Sequence, residues 1–191
     1  MKRLLPLLFF ALFNCLSCGH PNVVYIQPLG DVEKADIDLI KHAVESFYHI
    51  KCIVKPAVRL TIDIQADSKT RYEANRILSK YDSNDNLLIV TESDIAYNNH
   101  ERHVKEWGIF GLAYTPGTTC VISTFRLKRN ASKELFRSRL VKACLHEVGH
   151  NRGLKHCTSG DKRCFMNDAR GSIKVVDQEQ VFLCEKCRKQ L

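Results

Sequence analysis

The most constraining feature of the sequence is the stretch from His146 to His156, which contains three histidines. His146 and His150 stand four residues apart, and on an α-helix this spacing leaves them about 40° and about 6 Å apart on one face. Their imidazoles can therefore share one metal ion. Glu147 would lie on a neighbouring face, close to that metal without having to bind it.

The third histidine joins the pair only if the helix ends first, because a regular helix would carry His156 away. Gly153 permits that end, since glycine adopts positive φ angles without a steric penalty and commonly terminates helices. Three neutral imidazoles with an open coordination position are typical of a catalytic zinc site, in which Glu147 could take a proton from the activated water. The alternative is three unrelated histidines on an amphipathic helix, and the positions of Gly153 and His156 argue against it.

Four of the nine cysteines form a cluster after the histidines: Cys157, Cys164, Cys184 and Cys187. The last two stand three residues apart on a predicted helix and therefore point the same way. A metal site and disulfides are both open at this point, because exported proteins normally oxidise clustered cysteines. The other cysteines of the folded region lie within strand or helix patterns that predict buried, inert thiols: Cys52, Cys120 and Cys144.

The first residues predict export. A short positive segment is followed by the apolar stretch 4–13, which is too short to span a bilayer and is typical of a secretory signal. Ser17 directly before Cys18 is similar to a bacterial lipobox, although Cys15 stands where leucine is usual. An ordinary signal peptide cut nearby is the alternative.

The lipobox pattern predicts a signal peptide over residues 1–17, acylation of the Cys18 thiol and a mature domain over residues 18–191. We therefore expect an exported lipoprotein, anchored to a membrane and facing the periplasm or the cell exterior.

The composition fits one globular domain, with 45% hydrophobic and 26% charged residues. The formal net charge of +8 comes from scattered basic residues. No basic motif is interleaved with aromatic residues, so we expect no nucleic-acid partner. We expect the domain to act as a monomer.

Alternating segments predict an α/β (α+β) fold with a mixed twisted sheet. The predicted strands cover residues 22–27, 51–58, 60–64, 86–91, 108–114 and 119–124. The predicted helices cover residues 31–48, 70–81, 132–151 with Ser132 as N-cap, and 177–189.

From Val23 to Leu191 the sequence resembles the archaemetzincins, a family of the metzincin clan of zinc metallopeptidases. The family pattern continues after the third histidine with Cys, a short gap, Cys-x-Met, seventeen residues and Cys-x-x-Cys. Here Cys157, Cys164-Phe165-Met166 and Cys184-Glu185-Lys186-Cys187 follow that pattern. The gap between the first two cysteines is six residues where the family has four, and this insertion should leave the ligands intact.

The resemblance implies a single compact metzincin-like domain with a long active-site helix and a C-terminal helix. It implies hydrolysis of peptide bonds in a peptide or protein substrate, with a metal-activated water and Glu147 as general base. Two zinc ions are implied per chain, a catalytic one on His146, His150 and His156 and a structural one on Cys157, Cys164, Cys184 and Cys187. Met166 would lie in the tight turn beneath the catalytic zinc.

Two alternatives accompany these expectations. Disulfides could join the four clustered cysteines, but zinc bound before oxidation would protect them, and we favour structural zinc. The chain could also be a zinc-stabilised binding or scaffold lipoprotein without catalysis, against which the intact Glu147 argues. A peptide substrate is expected to lie as an added strand on the edge near residues 112–114 or 121–124.

Overall fold

The structure is a computed structural model that describes residues 23–100 and 102–191. The predicted signal peptide over residues 1–17 and its neighbour Cys18 lie outside the described residues. In the part of the chain that is described, none of the helices has the length and apolar character needed to cross a membrane.

The strands are β1 (Val23–Leu29), β2 (Lys51–Val54), β3 (Tyr72–Glu73), β4 (Leu87–Thr91), β5 (Ile95–Asn99), β6 (Val104–Gly108), β7 (Gly111–Ala113) and β8 (Thr119–Ser123). The α-helices are α1 (Lys34–Tyr48), α2 (Ala74–Tyr81), α3 (Thr124–Leu127), α4 (Lys133–Asn151), α5 (Ile173–Gln178) and α6 (Glu185–Arg188).

The main sheet has five strands in the order β2-β1-β4-β8-β7. Its strands run parallel except for β7, which pairs antiparallel with β8 at one edge. Every residue of β4 and β8 is buried, which is typical of central strands in a sheet covered on both faces. The predicted α/β class with a mixed sheet is confirmed.

Helices cover both faces of this sheet. Leu88 and Val90 point into a core shared with α1 and α4, whereas Leu87 and Ile89 point into a second core shared with α2. This alternation is the two-residue period of a strand. On the larger side, the Tyr48 hydroxyl at the end of α1 donates to the Leu145 carbonyl at 2.6 Å, which joins α1 to α4.

Helix α4 begins and ends close to its predicted limits. The Ser132 side chain accepts a hydrogen bond from the Leu135 backbone N–H at 3.2 Å, as predicted for the N-cap. Glu134 in the first turn interacts favourably with the helix dipole. Buried apolar side chains then recur along the face that packs on α1 and the sheet.

A second sheet, of order β3-β5-β6, was not predicted. Strands β5 and β6 pair antiparallel with an irregularity between Tyr97 and Asn99. Their sequence lacks the regular alternation of apolar residues that predicts a strand, because most of the hairpin is only partly buried. The hairpin brings Tyr97 and Trp107 to the rim of the large cavity described below.

The strand predicted over 51–58 ends already at Val54, and three other predicted segments differ more strongly in the structure. The strand predicted over 60–64 is wrong: Ile62–Ile64 is a short 3-10 turn, and Ile62 is 80% exposed. The helix predicted over 70–81 begins only at Ala74, where the Glu73 side chain accepts from the Arg76 N–H at 3.0 Å.

The single helix predicted over 177–189 is wrong, because α5 ends at Gln178 and α6 covers only Glu185–Arg188. Between them the chain runs extended, with the Gln180 N–H donating to Arg163 O at 2.8 Å and the Phe165 N–H donating to Phe182 O at 3.0 Å. This extended pairing, which propensity does not reveal, brings Cys184 back towards the earlier cysteines.

An ion pair between the buried Arg139 and the partly exposed Asp177 fixes α5 against α4. Arg139 is 4% exposed and donates to both carboxylate oxygens of Asp177, at 2.7 and 2.8 Å. Its remaining guanidinium nitrogen donates to the carbonyls of Leu127 and Arg129. Bidentate pairs of this kind combine strength with fixed geometry. The pair therefore sets the distance between the active-site helix and the wall that α5 forms.

Candidate metal centre and active site

The end of α4 reverses the chain as the sequence predicts. Gly153 has a φ of 91°, and its N–H donates to His150 O at 2.8 Å while the Leu154 N–H donates to Gly149 O at 2.9 Å. These two bonds make a Schellman motif with glycine in the left-handed position. The chain then turns back along the helix and brings His156 to the same side as the first two histidines.

The structure brings the three predicted histidines together. One ring nitrogen from each of His146, His150 and His156 lies within 4.8 Å of the others. The ring centroids of the three pairs are 4.5, 4.8 and 5.4 Å apart. His150 is buried, His146 is half-buried and His156 is exposed, so the cluster is accessible to solvent at His156.

Backbone carbonyls orient two of the imidazoles. Nδ1 of His146 lies 2.7 Å from Phe165 O, and Nδ1 of His150 lies 2.7 Å from Leu154 O. A carbonyl only accepts, so each Nδ1 carries the proton and each Nε2 keeps a lone pair. These two Nε2 atoms are 2.9 Å apart. Two lone pairs at that distance repel unless a cation lies between them, and the donor set therefore fits a metal ion.

Burial keeps these imidazoles neutral. It lowers the pKa of His146 to about 3 and that of His150 to about 4, with their mutual repulsion and that of His156 adding to the effect at His146. A histidine whose pKa lies well below 7 is unprotonated at neutral pH, which is the form that binds zinc.

Glu147 lies beside this cluster, buried between α4 and the edge strand β7. Its side chain is 7% exposed, and burial raises its pKa to about 8. A side-chain carbon on Gly111 would lie 2.6 Å from its Oε1, so only glycine at that position leaves room for the carboxyl group. A bound dication would oppose the effect of burial and favour the carboxylate.

A cavity of about 460 Å³ opens in front of these residues. One wall is the edge strand with the residues before it, the floor is α4, and the opposite wall is α5 with the segment from Asn167 to Gly171. Of the two strands proposed to receive a peptide, β8 lies between β4 and β7, so its edges are paired. Strand β7 is the outer strand, and Gly111, Leu112 and Ala113 line the cavity.

Met166 is buried in the turn that follows Phe165. Its sulfur lies 2.9 Å from the place that a side-chain carbon on Gly149 would take, so it packs directly against the backbone of α4. Its carbonyl accepts from the Cys157 N–H at 2.7 Å. The turn is thus joined both to the active-site helix and to the cysteine that follows the third histidine.

The four clustered cysteines also come together. Their sulfur atoms lie within 4.8 Å of one another. The sulfurs of Cys157 and Cys184 are 3.6 Å apart, far beyond the roughly 2.05 Å of a disulfide bond. Four thiolates about 2.3 Å from one zinc ion would be separated by about 3.8 Å. The geometry therefore fits a closed tetrahedral metal site.

The longer gap between the first two cysteines forms an exposed turn. The Asp161 carboxylate accepts from the Arg163 backbone and guanidinium, at 2.8 to 3.0 Å. The insertion leaves Cys157 and Cys164 beside each other, as expected.

The three scattered thiols are buried, as the sequence predicts: Cys52, Cys120 and Cys144. Burial raises the pKa of Cys52 to about 12, which leaves its thiol unreactive.

Sequence reasoning missed several residues at the cavity. Lys142 precedes His146 by four residues, and that spacing could have placed it on the same helix face. Glu179, Trp107 and Tyr97 gave no such signal, because they reach the cavity only through the extended segment after α5 and the hairpin.

Helix α4 ends in three convergent histidines, with a buried glutamate beside them, and packs against a mixed sheet. This arrangement is typical of zinc metallopeptidases. The sequence model described as Peptidase family M54 matches residues 40–191. The archaemetzincin of Archaeoglobus fulgidus is 31% identical over 169 residues, covering 88% of this chain and 98% of that protein. The chain therefore belongs to peptidase family M54, the family of the archaemetzincins, and it is a zinc metallopeptidase.

Solved structures agree with this assignment. The crystal structure of the Archaeoglobus fulgidus archaemetzincin, complexed with malonate, superposes with a TM-score of 0.77 at 30% identity, covering 88% of this chain and 99% of that one. The archaemetzincin of Methanopyrus kandleri superposes with a TM-score of 0.71 at 23% identity, covering 90% and 95%. At that identity the second comparison supports the fold alone. The resemblance noted in the sequence is confirmed.

Replacing Gly153 tests whether the helix end positions the third imidazole. A side chain at this position would touch nothing within 4 Å, so Gly153→Ala adds only the strain of a positive φ, about 1–2 kcal/mol. We expect that loss in urea unfolding, together with weaker retention of Co²⁺ by the histidine site, followed by its visible spectrum.

Gly160→Ala is the matched control, because Gly160 also has a positive φ and open surroundings but lies in the exposed turn between the cysteines. It should leave the histidine-site spectrum unchanged. Wild-type metal retention by Gly153→Ala would show that the turn does not position His156.

Proposed function

We propose that His146, His150 and His156 hold the catalytic zinc and that Glu147 is the general base for peptide-bond hydrolysis. The observation that carries this proposal is the 2.9 Å approach of two Nε2 lone pairs, with the buried Glu147 beside them. A zinc ion held there would supply a Lewis acid for the scissile carbonyl and would lower the pKa of a bound water towards about 7.

Glu147 takes the proton of the attacking water and delivers it to the leaving amine. Its position in the wall of the same cavity as the three imidazoles supports this role. Packing against Gly111 limits the rotamers of the carboxyl group, and a base held in place in this way needs no reorganisation during proton transfer.

The substrate lies extended along β7. This strand ends the sheet and borders the cavity, and Gly111 brings its backbone against Glu147. A peptide in this position could pair with the free backbone edge as an added strand. A complex in which a bound peptide runs elsewhere in the cavity would contradict this placement.

A binding or scaffold protein without catalysis is not favoured. The chain belongs to a peptidase family, and Glu147 stands beside the histidine cluster with a buried, constrained carboxyl group that such a protein would not require.

Substituting the proposed base tests the mechanism. Glu147→Gln keeps the shape of the side chain but removes its ability to accept a proton. We expect kcat/KM for a mixed peptide substrate to fall by about 10²- to 10⁴-fold, with zinc content unchanged. Glu134→Gln, an exposed carboxylate on the same helix, should retain activity. Hydrolysis by Glu147→Gln at the wild-type rate would refute the assignment.

The four clustered cysteines hold a second, structural zinc, giving two ions per chain. The sulfur separations support this over disulfides, and a site with four thiolates leaves no position for substrate. The site would stabilise the fold directly, because a preformed site rarely exists in the unfolded chain.

Removing one thiolate tests this site. Cys184→Ser should lower the zinc content from two ions to one and reduce the free energy of unfolding by several kcal/mol. Cys144→Ala, a buried thiol outside the cluster, should keep both ions. Thiol titration of the unfolded wild type without reductant completes the test, because disulfides would hide the clustered thiols from the reagent.

The chain acts as an exported monomer, tethered to a membrane through Cys18. The charged and apolar segments at the start of the sequence and the lipobox-like residues before Cys18 support export and acylation. All of the proposed ligands and the base belong to one chain, which supports a monomer.

Fatty-acid labelling tests the tether. The wild type should incorporate a labelled fatty acid and sediment with membranes, because an acylated cysteine partitions into lipid. Cys18→Ser should lose the label, whereas Cys15→Ser should keep it. An unlabelled wild-type protein would argue for the ordinary signal peptide instead.

A further inference from the structure

A lysine and a glutamate side chain are buried in the wall of the catalytic cavity, and neither is a proposed metal ligand. Lys142 is 3% exposed and lies one turn of α4 before His146, about 6 Å along the helix axis. Glu179 is 7% exposed and directly follows α5. Both line the cavity, together with the apolar Ala143 and Val176.

These two side chains do not satisfy each other. The Lys142 ammonium group donates to the backbone oxygen of Glu179 at 3.1 Å, not to its carboxylate. Oε1 of Glu179 is buried without a hydrogen-bond partner. Arg139 does not supply one, because its guanidinium donates to Asp177 and to two backbone carbonyls.

Burying an unpartnered carboxylate oxygen opposes folding, since the group loses water and gains nothing in return. A ligand that enters the cavity and donates a hydrogen bond would remove this cost. Lys142, in turn, has three donors and uses one of them on the Glu179 backbone. The pair thus offers an incoming group one acceptor and further donors.

We propose that Lys142 and Glu179 form a subsite for a carboxamide side chain, glutamine or asparagine, of the substrate residue next to the scissile bond. The proposal rests on the proposed function, which places peptide in this cavity. A carboxamide accepts through its oxygen and donates through its nitrogen, so it can bond to the ammonium group and the carboxylate together.

Other side chains match the pair less well. A substrate lysine is attracted by an ionised Glu179 but repelled by Lys142. A substrate glutamate is attracted by Lys142 but repelled by the ionised Glu179. A leucine fits the apolar walls but leaves Oε1 of Glu179 and the remaining Lys142 donors without a partner. Burial raises the pKa of Glu179 to about 8. The selectivity is therefore measured at pH 9, since a protonated Glu179 could also donate to a substrate carboxylate.

The experiment compares peptides that are identical except for glutamine, glutamate, lysine or leucine at each position flanking the cleaved bond. At one of these positions the zinc-loaded full chain should cut the glutamine peptide with a kcat/KM at least about tenfold above the other three. Glu179→Gln should abolish the preference for glutamine over glutamate, and Glu185→Gln, an exposed carboxylate on α6, should keep it.

Binding of the same peptides to the Glu147→Gln chain, followed by fluorescence anisotropy, gives a readout without cleavage. The glutamine peptide should bind about tenfold more tightly. Equal kcat/KM and equal binding across the four peptides would overturn the proposal. This comparison uses the wild-type chain for cleavage, so it remains decisive even if Glu179→Gln fails to fold. A glutamine preference in binding without hydrolysis of any peptide would contradict the proposed function and support the subsite.

Discussion

The close approach of the His146 and His150 imidazoles is the interaction on which the site depends. Backbone carbonyls of Leu154 and Phe165 fix the ring tautomers and leave two lone pairs facing each other. Such an arrangement is unfavourable alone and favourable around a cation, so folding of the segment after α4 and metal binding support each other. The Gly153 turn matters because it supplies one of those carbonyls and returns His156 to the helix.

The histidine and cysteine clusters share one segment of chain. Cys157 directly follows the third histidine, and Cys164 directly precedes Phe165, whose carbonyl orients His146. The sulfur cluster therefore fixes both ends of the segment that completes the histidine site. A metal held by the thiolates would act on catalysis without touching substrate, as a support that keeps this carbonyl in place. This link would explain why the proposed structural metal lies directly beside the histidine site.

Local chemistry was predictable from sequence, whereas long-range packing was not. The histidine spacing, the glycine turn and the Ser132 cap are decided within a few residues, and the structure has them where the sequence predicts. The extended chain between α5 and α6 is decided by pairing with the segment near Phe165, far away in sequence. The β5–β6 hairpin lacks an apolar alternation because it is only partly buried. The sequence therefore could not place Trp107, which lies in the hairpin, or Glu179, which begins the extended segment, at the cavity.

The buried Lys142 and Glu179 in the cavity wall are difficult to explain by stability. Replacing buried ionic groups with apolar ones of similar volume is often neutral or stabilising, so the fold alone has no need of Lys142 and Glu179 at these positions. Arg139 and Asp177 differ, because their bidentate contact ties α5 to α4 and leaves no atom unpaired. A buried oxygen without a partner is a cost that a ligand can remove. Since the cavity beside it already holds the elements of peptide hydrolysis, a substrate side chain is the ligand that the position favours.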